Sequence, residues 1–81
     1  MVGFLVERYW PGVTAADVDA VGRRLTQLGG ADATFVASTL IPADEVVFFE
    51  FAAVDGAAVL ELARRAELRC DRLVTADRNA R

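Results

Sequence analysis

Two glutamates stand in the middle of predicted strands, where a carboxylate could transfer protons. Glu7 and Glu50 each stand among large apolar neighbours. A carboxyl group that is buried without a partner has a raised pKa, which suits it to general acid or base catalysis near neutral pH. The alternative is that each glutamate pairs with an arginine across the sheet or across a subunit interface. The candidate partners are Arg8, Arg69 and Arg72.

Three consecutive side chains of the first strand, Arg8, Tyr9 and Trp10, are candidates for binding a ligand. A guanidinium group can clamp a carboxylate ligand, or it can neutralise a glutamate of the protein itself. The Tyr-Trp pair ends the strand just before a Pro-Gly turn, where a phenol and an indole N–H could orient a molecule at a pocket mouth. The same pair could instead pack against the edge of the core or a dimer interface.

Several common catalytic groups are missing from the composition. The 81 residues include no histidine, and all nine basic residues are arginine. A Ser-His-Asp triad, a histidine base, a histidine-ligated metal and a Schiff-base lysine are therefore excluded within this chain. Cys70 is the one cysteine, and Arg69 and Arg72 could lower its pKa. Because no histidine is present to act as its base, we expect a buried and unreactive thiol.

A metal site built from oxygen ligands has only a weak basis in the sequence. Asp44 and Glu45 are the nearest acidic pair, and adjacent acids in a hairpin connection are usually solvated. One cysteine can form neither an intrachain disulfide nor a cysteine-type zinc site. We therefore predict no metal and no cofactor.

Net charge and the single thiol bear on partners and compartment. Nine basic against twelve acidic residues give a net charge of −3, which disfavours binding to nucleic acid. Glu7 and Arg8 interrupt the first apolar run well before the ~20 residues that a membrane span needs. An unpaired thiol fits a reducing compartment. We predict a cytoplasmic protein with no nucleic-acid or membrane partner.

Hydrophobic spacing predicts the strands that position these side chains. Alternating apolar residues, bounded by turn residues, indicate four strands over residues 2–10, 33–41, 45–53 and 70–76. The connection between the second and third strands is short, which predicts a hairpin.

Two amphipathic helices are predicted between the strands. Thr14 is an N-cap followed by Asp17, and the Gly-Gly pair at 29–30 ends that helix. Asp55 caps a second helix over 56–67. The order β-α-β-β-α-β predicts a ferredoxin-like α+β domain with a four-stranded antiparallel sheet and both helices on one face. We expect this domain to span residues 1–76 and the tail over 77–81 to be frayed.

Both faces of the predicted strands are apolar. Phe4 and Val6 alternate with Leu5 on the first strand, and Phe48 alternates with Phe49 on the third. Helices cover only one face of such a sheet. The other face should therefore be buried against an identical subunit, as in dimeric α+β barrels, and we predict a homodimer.

Three segments of the chain resemble a family of small bacterial proteins that is mostly catalogued as a domain of unknown function. The segments are FLVERYWPGVT (4–14), STLIPADEVVFFEF (38–51) and LELARRAEL (60–68). The family includes a nickel-binding protein with a dimeric ferredoxin-like fold. The resemblance covers nearly the whole chain, is most specific in the first segment, and implies the same fold and dimer here.

The resemblance also shows two departures from the family pattern. In the family, the second helix often carries a histidine just before an Ala-Arg-Arg segment, and the third strand often carries a cysteine. The corresponding positions here look like Leu62 and Phe49. Since both side chains are apolar, the resemblance implies no metal ligands in this chain. A cavity that has lost its ligands suggests a pocket for an organic molecule, or a purely structural role.

The leading hypothesis is a homodimer that holds a small, mostly apolar organic molecule. The molecule would lie in a cleft between the sheet and the helices or at the dimer interface, with Glu7, Arg8, Tyr9 and Glu50 as its polar contacts. If the protein is an enzyme, cofactor-free isomerisation or cyclisation is the compatible chemistry, with Glu50 or Glu7 moving the proton. Two other hypotheses stay open: a metal-binding accessory protein, and a structural or regulatory partner without a site of its own.

Overall fold

Four strands and two helices follow one another in the predicted order. The computed structural model describes residues 1–77. In chain order its main elements are β1 (Val2–Tyr9), α1 (Ala15–Leu28), β2 (Ala33–Ile41), β3 (Val46–Ala53), α2 (Gly56–Arg65) and β4 (Arg72–Thr75). The strands form one antiparallel sheet in the order β2-β3-β1-β4. The predicted ferredoxin-like α+β fold is therefore confirmed. Beyond Asp77, the predicted tail lies outside the described residues.

Helix α1 begins and ends where the sequence indicates. Thr14 Oγ1 accepts a hydrogen bond from the Asp17 N–H at 3.2 Å, and Asp17 Oδ2 accepts one from the Thr14 N–H at 2.9 Å. This capping box satisfies two backbone N–H groups at once. At the other end, the Gly29 N–H closes the last turn. The predicted cap of α2 is present as well, since Asp55 Oδ1 accepts a backbone N–H three residues later at 2.9 Å.

The core lies between the two helices and one face of the sheet. Val6 on β1 and Phe49 on β3 are completely buried, as is Leu25 on α1. Leu62 on α2 is 4% exposed. Phe49 and Leu62 are the positions where the resemblance pointed to lost ligands. Both now supply apolar packing, which accounts for their side chains without reference to a metal.

Both helices of the described chain pack on one side of the sheet, which leaves the other side open. We call this side the open face, and its residues include Leu5, Glu7, Tyr9, Thr39, Ile41, Val46, Phe48, Glu50, Arg72 and Val74. Most of these side chains are half-buried by their neighbours, whereas Tyr9 is 53% exposed. The sequence predicts apolar residues on both faces of the strands. On the open face, the structure shows apolar side chains that alternate with charged ones.

Strands β1 and β3 are each one residue shorter than predicted at the end where Tyr9 lies opposite Val46. Strand β1 ends at Tyr9, one residue earlier than predicted, although the Trp10 N–H still donates to the Glu45 carbonyl at 2.7 Å. Glu45 has a φ of 54°, a left-handed conformation that cannot continue a strand. Strand β3 therefore begins at Val46 rather than at residue 45.

Strand β4 is shorter than the predicted span of 70–76. Regular pairing covers Arg72–Thr75 alone. One further hydrogen bond lies at each end, from the Asp71 N–H to the Glu7 carbonyl and from the Ala76 N–H to the Gly3 carbonyl. The chain thus stays against β1 over the longer span, although the ladder itself is short.

Helix α2 ends at Arg65, two residues earlier than predicted. Glu67 has a φ of 57°. Its N–H donates to the Arg64 carbonyl at 3.1 Å, and the Leu68 N–H donates to the Ala63 carbonyl at 2.8 Å. This is a Schellman ending, which usually requires glycine, so the sequence gives no signal for it. On the exposed side of α2, Arg64 pairs with Glu61 at 2.7 Å. Within residues 1–77, no helix is long and apolar enough to cross a membrane.

Candidate functional site

The structure does not bring the five predicted site residues together. Glu7, Tyr9 and Glu50 belong to the open face. Arg8 and Trp10 lie at the end of β1 on the side that the helices cover. Alternation along a strand sends neighbouring side chains to opposite faces, so one small molecule cannot contact all five within a single protomer. The two groups are therefore two separate candidate sites.

On the open face the two glutamates are diagonal neighbours. Glu7 lies opposite Phe48 and Glu50 lies opposite Leu5, an arrangement that separates the carboxylate-bearing residues by about 7–8 Å. Glu7 Oε1 is 3.9 Å from an Nη atom of Arg72 on β4. Of the two interpretations of Glu7, the one in which it pairs with an arginine therefore holds within a single protomer, and the partner is Arg72.

At the end of β1, Arg8 continues the row of buried residues on the helix side of the sheet. Its Cζ lies 3.6 Å from the centre of the Trp10 ring, which is a close cation–π contact. Its Nε atom is buried and has no hydrogen-bond partner among the described residues. Arg8 therefore contacts an aromatic ring, whereas the sequence analysis names a glutamate or a ligand as its partner.

Other charged residues surround this guanidinium group. Burial lowers the pKa of Arg8, and the nearby charge of Arg69 lowers it further. Asp71 is bound on both oxygens, by the Tyr9 N–H at 2.7 Å and by Arg69 Nε at 2.9 Å. These contacts hold the pKa of Asp71 below its ordinary value, and the backbone hydrogen bond from Tyr9 contributes most. Arg24 donates from Nε to the Ala66 carbonyl at 2.9 Å.

The thiol of Cys70 is not activated. Burial raises its pKa, and this effect outweighs a backbone hydrogen bond from Arg72 that lowers it. A raised pKa reduces the thiolate fraction at neutral pH, so the thiol is a poor nucleophile. The structure thus agrees with the expectation of an unreactive cysteine.

A groove of about 540 Å³ opens between α1 and the edge strand β2. Apolar and polar residues both line it, among them Val18, Gly22, Phe35, Arg23, Thr26 and Ser38. None of the five predicted site residues belongs to this lining. Sequence reasoning missed it because the groove depends on how far a helix stands from a strand. One signal was available in Gly22, a glycine inside a helix, where a Cβ would lie 3.3 Å from Phe35 Cε2.

Among residues 1–77, no group of three or more histidine, cysteine, aspartate or glutamate side chains is placed to hold a metal ion. The acidic pair singled out in the sequence has another role. Glu45 Oε2 accepts the Gly12 N–H at 2.7 Å, which ties the turn after β1 to the start of β3. Asp44 lies exposed in the short 3₁₀ turn before it.

Together these observations define an α+β domain of the ferredoxin-like type with an uncovered sheet face. No family model matches the chain, and no curated protein matches it significantly. Among solved structures, the chain is similar to the crystal structure of SCO4226 from Streptomyces coelicolor A3(2). The TM-score is 0.78 at 16% sequence identity, over 96% of this chain and 99% of that chain. At this level of identity the similarity shows the fold alone.

Proposed function

We propose that the protein is a homodimer that binds a small, mostly apolar organic molecule in the groove between α1 and β2. The observation that carries the proposal is the groove itself. Its volume of about 540 Å³ falls within the range of about 300–1,000 Å³ that is usual for small-molecule sites.

The lining of the groove suits a molecule with an apolar body and one or two polar groups. Val18 and Phe35 offer apolar contact, and the missing Cβ of Gly22 lets the Phe35 ring pack closely against α1. Thr26 and Ser38 carry hydroxyl groups that can donate and accept hydrogen bonds. Asp19, Arg23 and Gln27 add further polar groups to the lining. Polar groups of this kind fix the orientation of a ligand, whereas the apolar area supplies most of the affinity.

The open face supports the homodimer. With strands about 4.8 Å apart and a rise of about 3.4 Å per residue, this face measures roughly 500 Å² in each protomer. Two such faces would bury about 1,000 Å², which is below the roughly 1,200–2,000 Å² of stable specific interfaces and in the size range of weak complexes. Phe48, Leu5 and Val74 give the face an apolar centre. We therefore expect a dimer that dissociates measurably on dilution.

Binding is proposed in preference to catalysis because Glu7 and Glu50 do not line the groove. In the proposed dimer both carboxylates lie between the two sheets. Acid or base chemistry by these groups would therefore require a cavity at the dimer interface. The metal-binding alternative has no specific observation in its favour among the described residues, so we propose no metal centre.

Native mass spectrometry of the protein purified from its own host tests the bound molecule. We expect a retained mass of a few hundred daltons on the wild-type protein and on Ala16→Trp. Thr26→Trp, which places an indole in the groove, should lose it. Ala16 is exposed on the same helix but does not line the groove, so it is the matched control. The groove is contradicted as the site if Thr26→Trp retains the molecule as well as Ala16→Trp does, or if the wild type and both variants retain no molecule.

Sedimentation velocity over a dilution series tests the dimer. Phe48→Glu places a charge at the centre of the open face, and we expect it to raise the dimer dissociation constant at least about tenfold, equivalent to ~1.4 kcal/mol. Leu60→Glu is the control, because Leu60 is 46% exposed on the outer side of α2. A wild-type protein that is monomeric at high micromolar concentration would refute the dimer without affecting the groove.

A further inference from the structure

Arg8 occupies a position that the fold otherwise fills with core residues. On the same row of β1, Phe4 is 7% exposed and Val6 is completely buried, and Val47 opposite Arg8 on β3 is also completely buried. Placing a guanidinium group there is costly unless its donors find acceptors. Nevertheless Arg8 Nε is buried without a partner among the described residues. Packing alone does not account for an arginine at this position.

The carboxylates near Arg8 already have other partners. Asp71 is bound by the Tyr9 N–H and by Arg69. Asp17 accepts the Thr14 N–H within the capping box of α1. No ion pair joins Arg8 to an acidic group in the part of the chain that the structure describes. The nearby carboxylates thus serve the backbone and Arg69 instead of neutralising Arg8.

Positive charge is in excess at this corner. The charged groups that act on Arg8 come from three parts of the fold: Asp17 and Arg24 from α1, Arg69 and Asp71 from the connection between α2 and β4, and Arg8 itself from β1. Three guanidinium groups thus stand with two carboxylates. The protein as a whole carries a net charge of −3, so this corner has the opposite sign to the rest of the molecule.

We propose that the corner formed by Arg8, Trp10 and Arg69 binds a small organic carboxylate. The guanidinium group of Arg8 offers N–H donors whose fork matches the two oxygens of a carboxylate. The Trp10 ring, which holds that group at 3.6 Å and is itself only partly buried, fixes its plane and offers apolar surface to the body of the ligand. Arg69, which is 71% exposed and pairs with Asp71 through Nε, adds a second cation beside Arg8.

A carboxylate is favoured over a phosphate by the local charge. One positive charge in excess balances a monoanion. A dianion would also meet Asp17 and Asp71, whose negative charges act on the same corner. The corner lies on the opposite flank of α1 from the groove between α1 and β2, so this site is separate from the proposed function.

The single tryptophan of the chain is a built-in reporter for this site, since Trp10 stacks on Arg8. We propose titrating the protein with sodium hexanoate while following Trp10 emission, with sodium chloride keeping the ionic strength constant. We expect a saturable change with a dissociation constant in the millimolar range, at most about 10 mM. Hexanol, which has the same chain length without the charge, should give no saturable change.

Three variants decide whether Arg8 is the group that binds. Arg8→Gln should weaken hexanoate binding at least about tenfold. Arg69→Gln should weaken it several-fold, and it tests the corner even if Arg8→Gln fails to fold, because Arg69 is largely exposed. Arg72→Gln, which removes an arginine from the open face, should bind like the wild type. The proposal is overturned if hexanoate up to about 50 mM causes no saturable change, or if both corner variants bind as tightly as Arg72→Gln.

Discussion

Tyr9 donates its backbone N–H to Asp71 Oδ2 at 2.7 Å, across 62 positions of the sequence. The other oxygen of the same carboxylate accepts Arg69 Nε at 2.9 Å, and the Asp71 N–H donates to the Glu7 carbonyl at 2.9 Å. Asp71 therefore fastens the start of β4 to the end of β1. Since β4 is a short edge strand, this contact compensates for its few ladder hydrogen bonds.

The contribution of Asp71 should depend on pH. Its pKa is lowered in the folded protein, so its stabilising effect is fully present above the ordinary aspartate pKa of about 3.9 and is lost as the pH falls through the lower folded value. Asp71→Asn should lower the urea midpoint at pH 7. The difference from the wild type should shrink steadily below pH ~4.

Urea denaturation at a series of pH values, followed by circular dichroism, measures this effect. Asp44→Asn removes the same charge from an exposed turn and controls for the general loss of one negative charge. A gap between wild type and Asp71→Asn that is equally wide at pH 7 and at strongly acidic pH would show that the charge on Asp71 is irrelevant.

The capping box of α1 should be worth a measurable part of the stability. Thr14→Ala removes the hydroxyl that accepts the Asp17 N–H, and we expect a loss of about 1 kcal/mol in the free energy of unfolding. Thr14→Ser keeps the hydroxyl and should retain most of this stability. Urea unfolding distinguishes the two variants, and an equal loss in both would mean that the methyl group, not the cap, matters.

Two leucines provide a matched test of the core. Leu25 on α1 is completely buried, whereas Leu60 on α2 is 46% exposed. Leu25→Ala should lose about 2–5 kcal/mol, because it removes apolar contacts and leaves a cavity. Leu60→Ala should change the free energy of unfolding by no more than about 0.5 kcal/mol. Similar losses in the two variants would contradict the assignment of α1 to the core.

Cys70 should react slowly with alkylating reagents. Burial raises its pKa, so the thiolate fraction at neutral pH is smaller than for a free cysteine. We expect the rate of iodoacetamide labelling at pH 7.5 to be lower in the native protein than in the urea-unfolded protein, and to rise steeply toward alkaline pH. Mass spectrometry follows the reaction. A native rate equal to or above the unfolded rate would mean that the thiolate is favoured by the fold.

Secondary structure was predicted well where its signals are local. Thr14, Asp55 and the Gly-Gly pair after α1 act through hydrogen bonds within a few residues, so the sequence contains the whole interaction. The sequence predicts the end of α2 two residues too late, because Glu67 adopts a left-handed conformation at a position where glycine is the usual signal. The choice of Arg64 over Arg65 as the partner of Glu61 likewise rests on side-chain geometry that spacing does not fix.

The sequence identifies the residues of the candidate sites, but it does not show which of them lie together in space. The chemistry of their side chains makes candidates of Glu7, Arg8, Tyr9, Trp10 and Glu50. Alternation along β1 already separates Glu7 from Arg8. The same alternation places Arg8 and Trp10 on one side, so their contact at 3.6 Å could have been anticipated. The partners Arg24, Arg69 and Asp71 could not, because they reach the corner from distant parts of the chain.

The amino-acid sequence by itself determined the order of the elements, the ferredoxin-like topology and the absence of histidine and lysine chemistry from the chain. These follow from periodicity, capping and composition, which are properties of short segments or of the whole inventory of residues. Only the tertiary structure decided that a groove opens beside β2 and that Arg8 stacks on Trp10 without a carboxylate partner among the described residues. The physical reason is that both depend on distances between elements, which side-chain packing sets and no local pattern encodes.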